Sequence, residues 1–182
     1  ALPDRSTVRS LVVLFVLVAG LSVVQAPLRT VEVDDEGYET ATGIEAYSER
    51  ANLEYPENYV LSGWGDNRMY NYFVSGEALS YGFARDNYGA FLDGTDGQEW
   101  YDRLGGRGFV VTTDAAAGGL VTTMDRYTLG VRLHAYNGSR SEDAPGLGHY
   151  RLVATAGDGS HKAFRLVPGA VLRGSAEPNA TV

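Results

Sequence analysis

The chain has 182 residues, 44% of them hydrophobic and 21% charged, which supports one domain with a genuine core plus one extra segment and argues against disorder or a repeat array. Its 15 basic residues are fourteen arginines and one lysine, Lys162, set against 23 acidic residues for a net charge of −8. That balance disfavours nucleic acid as a partner, because no basic stripe exists to neutralise phosphates, and the absence of cysteine excludes disulfides, thiolate metal sites and cysteine nucleophiles.

Near-absence of lysine beside excess carboxylate fits a surface adapted to high salt, where repulsion between carboxylates is screened; a GC-rich genome, which favours arginine, is the alternative. Residues 1–28 form the extra segment. Ser10 to Leu28 carries no charge over about 19 positions, enough to cross a hydrocarbon core. Arg5 and Arg9 precede it, while Glu32, Asp34, Asp35 and Glu36 follow it, so the amino end is expected in the cytoplasm and the remainder outside. Val24-Gln25-Ala26 has the small residues of a signal-peptide cleavage site, but Pro27 would be a poor first mature residue. The run is therefore expected to be the last membrane helix of a longer polypeptide, in contact with membrane lipid at the cell membrane; a single anchor and a signal peptide are the alternatives.

Residues 29–38 read as a polar linker and 39–182 as an extracytoplasmic globular domain. Thr42-Gly43-Ile44-Glu45 matches a capping box, and Ile44, Tyr47 and Ala51 supply one helix face. Pro56 ends that segment ahead of a short buried strand, Tyr59 to Ser62. Met69, Tyr72 and Phe73 then predict a helix that Gly76 stops. A further helix follows Ser80 with the stripe Ala84, Tyr88, Phe91 and ends at Asp93-Gly94. Asp96-Gly97-Gln98-Glu99 starts a short one that buries Trp100 and Leu104, and Gly105-Gly106 stops it. Phe109 to Thr113 reads as a second buried strand. Thr122 or Thr123 is expected to open a helix carrying Met124, Tyr127 and Val131 to about Asn137-Gly138. Tyr150–Thr155 and Ala163–Val167 flank Gly157-Asp158-Gly159-Ser160 as a hairpin, with an edge strand expected at Ala170–Arg173. This order predicts an α/β (or α+β) domain, a mixed sheet covered by helices with a C-terminal β-hairpin.

The loop Gly63 to Arg68 would lie at the carboxyl end of a strand and the amino end of a helix, where α/β domains bind ligands. Trp64, Asp66, Asn67 and Arg68 place an indole, a carboxylate, an amide and a guanidinium there, between glycines that let the backbone bend. The competing interpretation gives Asp66 or Asn67 to helix capping, Trp64 to a core and Arg68 to solvent. Elsewhere the signals for chemistry are weak. His134, His149 and His161 share no metal-ligand spacing, and Ser62 and Ser75 lack a nucleophile elbow. Gly105-Gly106-Arg107-Gly108 precedes a strand, the wrong order for a phosphate-binding turn. Asp93-Gly94-Thr95-Asp96-Gly97 lacks the later bidentate glutamate of a calcium loop. The twelve tyrosines suit a core, a membrane-facing surface or a sugar-stacking platform. Asn137-Gly138-Ser139 and Asn179-Ala180-Thr181 are N-glycosylation acceptor patterns, consistent with an exterior location.

Val60-Leu61-Ser62-Gly63-Trp64-Gly65-Asp66, preceded by an amphipathic helix and an apolar run, resembles the start of the extracytoplasmic domain of archaeal oligosaccharyltransferases, membrane glycosyltransferases that move a lipid-linked oligosaccharide onto protein asparagine. Asn67 to Val74 and Phe164 to Ala170 resemble haloarchaeal members. The family's motif there is Trp-Trp-Asp-Tyr-Gly, which recognises the hydroxyl amino acid of the acceptor polypeptide. Trp64 falls on its first Trp and Asp66 on its Asp, while Gly65, Asn67 and Arg68 replace the other three. The resemblance implies acceptor binding by Trp64, Asp66, Asn67 and Arg68. It implies no catalytic residue and no cofactor in this chain; a divalent metal, Mg or Mn, would be held by exterior loops of the parent enzyme. The rival expectation is a membrane-anchored exterior binding or structural module with no transferase parent.

Overall fold

A computed structural model of the chain describes residues 34–76, 81–114, 126–142 and 144–169. The apolar run 10–28, Ser80, the stretch 115–125 that was to open a helix, the edge strand 170–173 and the acceptor pattern at Asn179 lie outside them. Among the described residues no helix is long and apolar enough to cross a membrane.

The elements in chain order are α1 (Asp35–Arg50), β1 (Val60–Leu61), α2 (Asn67–Ser75), α3 (Tyr81–Asp93), α4 (Gly97–Arg103), β2 (Phe109–Thr113), α5 (Leu129–His134), β3 (Tyr150–Thr155) and β4 (His161–Leu166). The four strands form one mixed sheet in the order β1-β2-β4-β3. β1 and β2 run parallel, with Val60 opposite Phe109. β4 is antiparallel to both β2 and β3, and the β3–β4 hairpin is interrupted by a bulge between Leu152 and Ala154. The protein is thus a mixed α/β fold.

Strand alternation divides the core in two. Phe109 and Val111 join Val60, Ala163, Ile44, Tyr70 and Val74 on the face covered by α1 and α2. Val110 joins Leu61, Phe164, Phe91, Trp100, Leu129 and Leu133 on the face covered by α3, α4 and α5. Gly43 sets the spacing on the first face. An ideal Cβ there would come 2.9 Å from the Cβ of Ala154, so only glycine lets α1 lie this close to β3.

The helix expected to begin at Thr42 begins at Asp35, and so takes in the last four residues of the expected linker. Thr42 is not its cap. Its hydroxyl donates to the carbonyl of Glu39, a bond made inside a helix. Asp35 and Glu36 favour the true start through the helix dipole. The first turns bury Gly37, Thr40 and Ala41, residues too small or polar to register as an apolar stripe. The expected helix to Asn137 is, among the described residues, six residues long. Thr128 is extended, which leaves Tyr127 on an exposed turn before α5 rather than on a buried face. The left-handed Gly76, the N-cap Asp96, the Gly105-Gly106 stop and the strand Phe109–Thr113 stand where the sequence places them.

Candidate functional site

Among the described residues β1 is an edge strand, so one side of its backbone has no neighbouring strand to bond. Helix α2 supplies the missing partners. The Asn71 side chain accepts from the Val60 N–H at 2.9 Å and donates to the Val60 carbonyl at 2.8 Å. Asn67, one turn earlier, donates to the same carbonyl at 2.8 Å and to the Ser62 hydroxyl at 3.3 Å. Both amides are buried. Asn67, expected to contact an acceptor, is therefore internal: its amide closes the edge of β1, and no ligand at the surface can reach it. Asn71, which carries more of this edge, gives no signal in sequence beyond its i, i+4 spacing from Asn67.

The other three expected residues lie on the opposite side of the same turn. Trp64 is 56% exposed and stacks on Tyr81 with ring centroids 6.3 Å apart and planes inclined by 23°. The Arg68 guanidinium sits 4.2 Å from the centroid of the same Tyr81 ring. Trp64 and Arg68 are thus joined through a tyrosine that begins α3, and an exposed cation–π contact of this kind is worth about 0.5–1 kcal/mol. Arg68 pairs with Tyr81, and no ion pair joins it to Asp66.

Asp66 holds the N-cap position of α2, yet its side chain makes no capping hydrogen bond. The Gly63 carbonyl accepts from the N–H groups of Asp66 and Asn67 at 3.1 and 2.9 Å, one step ahead of the Arg68 and Met69 N–H groups that a capping side chain would bond. The carboxylate stays exposed, turned toward Gly63 and Tyr88: an ideal Cβ on Gly63 would lie 4.0 Å from its Oδ2. Burial raises the Tyr88 hydroxyl pKa, and the Asp66 charge raises it further. Tyr88 therefore stays protonated and donates to the Val111 carbonyl at 2.9 Å.

One polar chain near the end of β2 was not legible in the sequence. His134 lies between Thr112, whose hydroxyl is 3.0 Å from Nδ1, and Asp114, whose Oδ1 is 2.6 Å from Nε2. The order hydroxyl, imidazole, carboxylate is that of a nucleophile relay. Thr112 is wholly buried, however, so no substrate reaches its oxygen, and the chain serves to tie α5 to β2. Lys162 completes the tie by donating to the His134 carbonyl at 2.7 Å and to Asn137 Oδ1 at 3.0 Å. Asn137 of the acceptor pattern is exposed on a left-handed turn, with φ 54°. Among the described residues no group of three His, Cys, Asp or Glu could hold a metal ion. Asp96 of the Asp93-Gly94-Thr95-Asp96-Gly97 turn is occupied as the cap of α4, accepting from Gln98 and Glu99 N–H at 2.9 and 3.0 Å.

In comparisons with known proteins, no family model, no curated protein and no solved structure matched the chain.

Proposed function

We propose that this domain recognises an acceptor polypeptide for an oligosaccharyltransferase-like membrane glycosyltransferase, without catalysing transfer itself. Trp64 packs against the peptide and Asp66 accepts a hydrogen bond from its Ser or Thr hydroxyl. Under this reading residues 10–28 are the membrane helix, the domain faces the exterior, and any Mg or Mn ion and the lipid-linked oligosaccharide are bound by other parts of the parent protein. One observation carries the proposal: the Asp66 carboxylate is exposed at the N-cap position of α2 yet makes no capping hydrogen bond, two residues from an exposed tryptophan. A carboxylate released from capping is free to accept a hydrogen bond from outside.

The test is binding of an Asn-X-Thr peptide to the full chain, followed by the fluorescence of Trp64. The expected result is saturable binding that weakens at least tenfold when the peptide threonine becomes alanine or when Asp66→Ala is introduced. Equal binding of threonine and alanine peptides would refute the acceptor role. The rival, an exterior binding module with no transferase parent, is favoured by the self-contained Trp64–Tyr81–Arg68 stack, which offers ring faces and a cation without needing Asp66. The coding sequence upstream of residue 1 separates the two: about a dozen further apolar spans with an acidic pair in the first exterior loop belong to the enzyme.

A further inference from the structure

Away from the Trp64 surface, a cleft of ≈ 250 Å³ opens between the turn at Tyr55-Pro56, Phe83 of α3 and the carboxyl end of α4. Tyr55, Tyr59 and Phe83 give it ring walls, with Tyr59 and Phe83 meeting edge to face at 6.4 Å. Burial pushes the Tyr59 hydroxyl up to about 12, so that ring carries no charge at neutral pH. Arg103 and Arg107 line the other side.

The two arginines are brought together by the Gly105-Gly106-Arg107-Gly108 turn, whose three glycines all have positive φ, from 66° to 90°. Side chains are excluded there on contact grounds too. A Cβ on Gly106 would lie 2.6 Å from the Tyr101 hydroxyl, and one on Gly108 2.7 Å from the Tyr59 carbonyl. The turn folds Arg107 back along Gly105, toward the end of the helix that carries Arg103.

Charge is unbalanced in this region. Glu57 is shared between Arg107 at 3.7 Å and Arg165 at 3.8 Å, both long for ion pairs. Arg103 bonds the Asn87 amide at 2.6 Å and stacks 4.7 Å from the Trp100 ring, with no carboxylate partner among the described residues. Among the described ion pairs, Arg103, Arg107 and Arg165 thus have one acid, Glu57, between them, in a chain whose net charge is −8. Contrast Arg132, which lines a larger cavity of ≈ 380 Å³ but is buried and committed to the carbonyls of Thr95 and Pro145.

We propose that the cleft binds a small ring-bearing monocarboxylate, with the ring held against Tyr55, Tyr59 and Phe83 and the carboxylate on Arg103 and Arg107. A guanidinium presents two parallel N–H donors that match a carboxylate's two oxygens. The volume falls just below the usual range of about 300–1,000 Å³ for ligand pockets, which limits the occupant to about one six-membered ring and its acid. An arene acid and a uronate share this chemistry.

Calorimetric titration of the full 182-residue chain with phenylacetate and with glucuronate tests the proposal and distinguishes the two sources. Their neutral counterparts, 2-phenylethanol and glucose, and inorganic phosphate serve as comparators. At least one acid is expected to bind at least tenfold more tightly than its neutral counterpart and than phosphate. Arg107→Gln, on an exposed turn, and Phe83→Ala, at a partly exposed position, each weaken that binding tenfold or more while melting stays unchanged. Absence of binding by both acids, phosphate binding as tight as either acid, or unaltered affinity in Arg107→Gln overturns the assignment. Asp66→Ala leaves this affinity intact, so failure here and failure of the peptide test are separate results.

Discussion

Two surfaces of one turn stand in contrast around residues 62–71. On one, Asn67 and Asn71 are buried against the backbone of β1; on the other, Trp64, Asp66 and Arg68 face solvent around Tyr81. Both sides are equally rich in unusual polar chemistry when read as letters. What separates them is whether a nearby backbone group lacks a partner. A buried peptide group left unbonded costs about 1–3 kcal/mol, so amides next to an edge strand are drawn inward and bound. Asp66 answers no such demand: it is exposed, and its side chain bonds none of the N–H groups of α2.

The sharpest way to break this contrast is to exchange the two tryptophans' fates. Trp100 is buried, edge to face with Phe91 at 5.5 Å, and Trp100→Ala is expected to cost about 3–5 kcal/mol in chemical denaturation. Trp64→Ala is expected to change stability by less than about 0.5 kcal/mol, as an exposed position should. A comparable loss at both would mean that the Trp64 stack is structural. Next in size is Asn71→Leu, which strips the Val60 N–H of its acceptor and is expected to cost about 1–3 kcal/mol. Urea unfolding reads it directly, and a neutral result would show that β1 does not depend on its amide cover.

The two aspartates at N-cap positions form the next pair. Asp96→Ala removes a side chain that accepts two N–H bonds and should cost about 0.5–2 kcal/mol. Asp66→Ala removes one that accepts none. Its expected effect on melting is the smallest of the series, within about 0.5 kcal/mol, while peptide binding falls at least tenfold. Equal destabilisation by both substitutions would return Asp66 to a capping role.

Much of the fold was legible where a local signal decided the outcome. Phe109–Thr113 is an apolar run after glycine, Gly76 is a left-handed stop, and Asp96 sits ahead of a helix whose N–H groups it takes. The start of α1 was not, because Gly37, Thr40 and Ala41 make a buried face out of small side chains that hydrophobicity does not mark. The burial of Asn67 escapes the sequence for a different reason. It follows from β1 lying at the edge of the sheet, a fact of strand order that no window of residues contains. The Thr112–His134 contact spans 22 positions, and the Arg103–Arg107 cleft needs Tyr55 and Phe83 from distant segments. Both are products of packing and had no signature to find.

The amide cover on β1 also bears on how copies of the molecule can join. A sheet grows when an unpaired strand edge meets another, and linear stacks require two such edges on every copy. Here the β1 side is sealed by α2 over its two-residue length, so among the described residues only the outer side of β3 remains to receive a strand. Pairing of β3 with β3 uses up both copies' open edges at once. Among the described residues, edge-to-edge pairing of this sheet is thus confined to β3 with β3, which makes a symmetric pair.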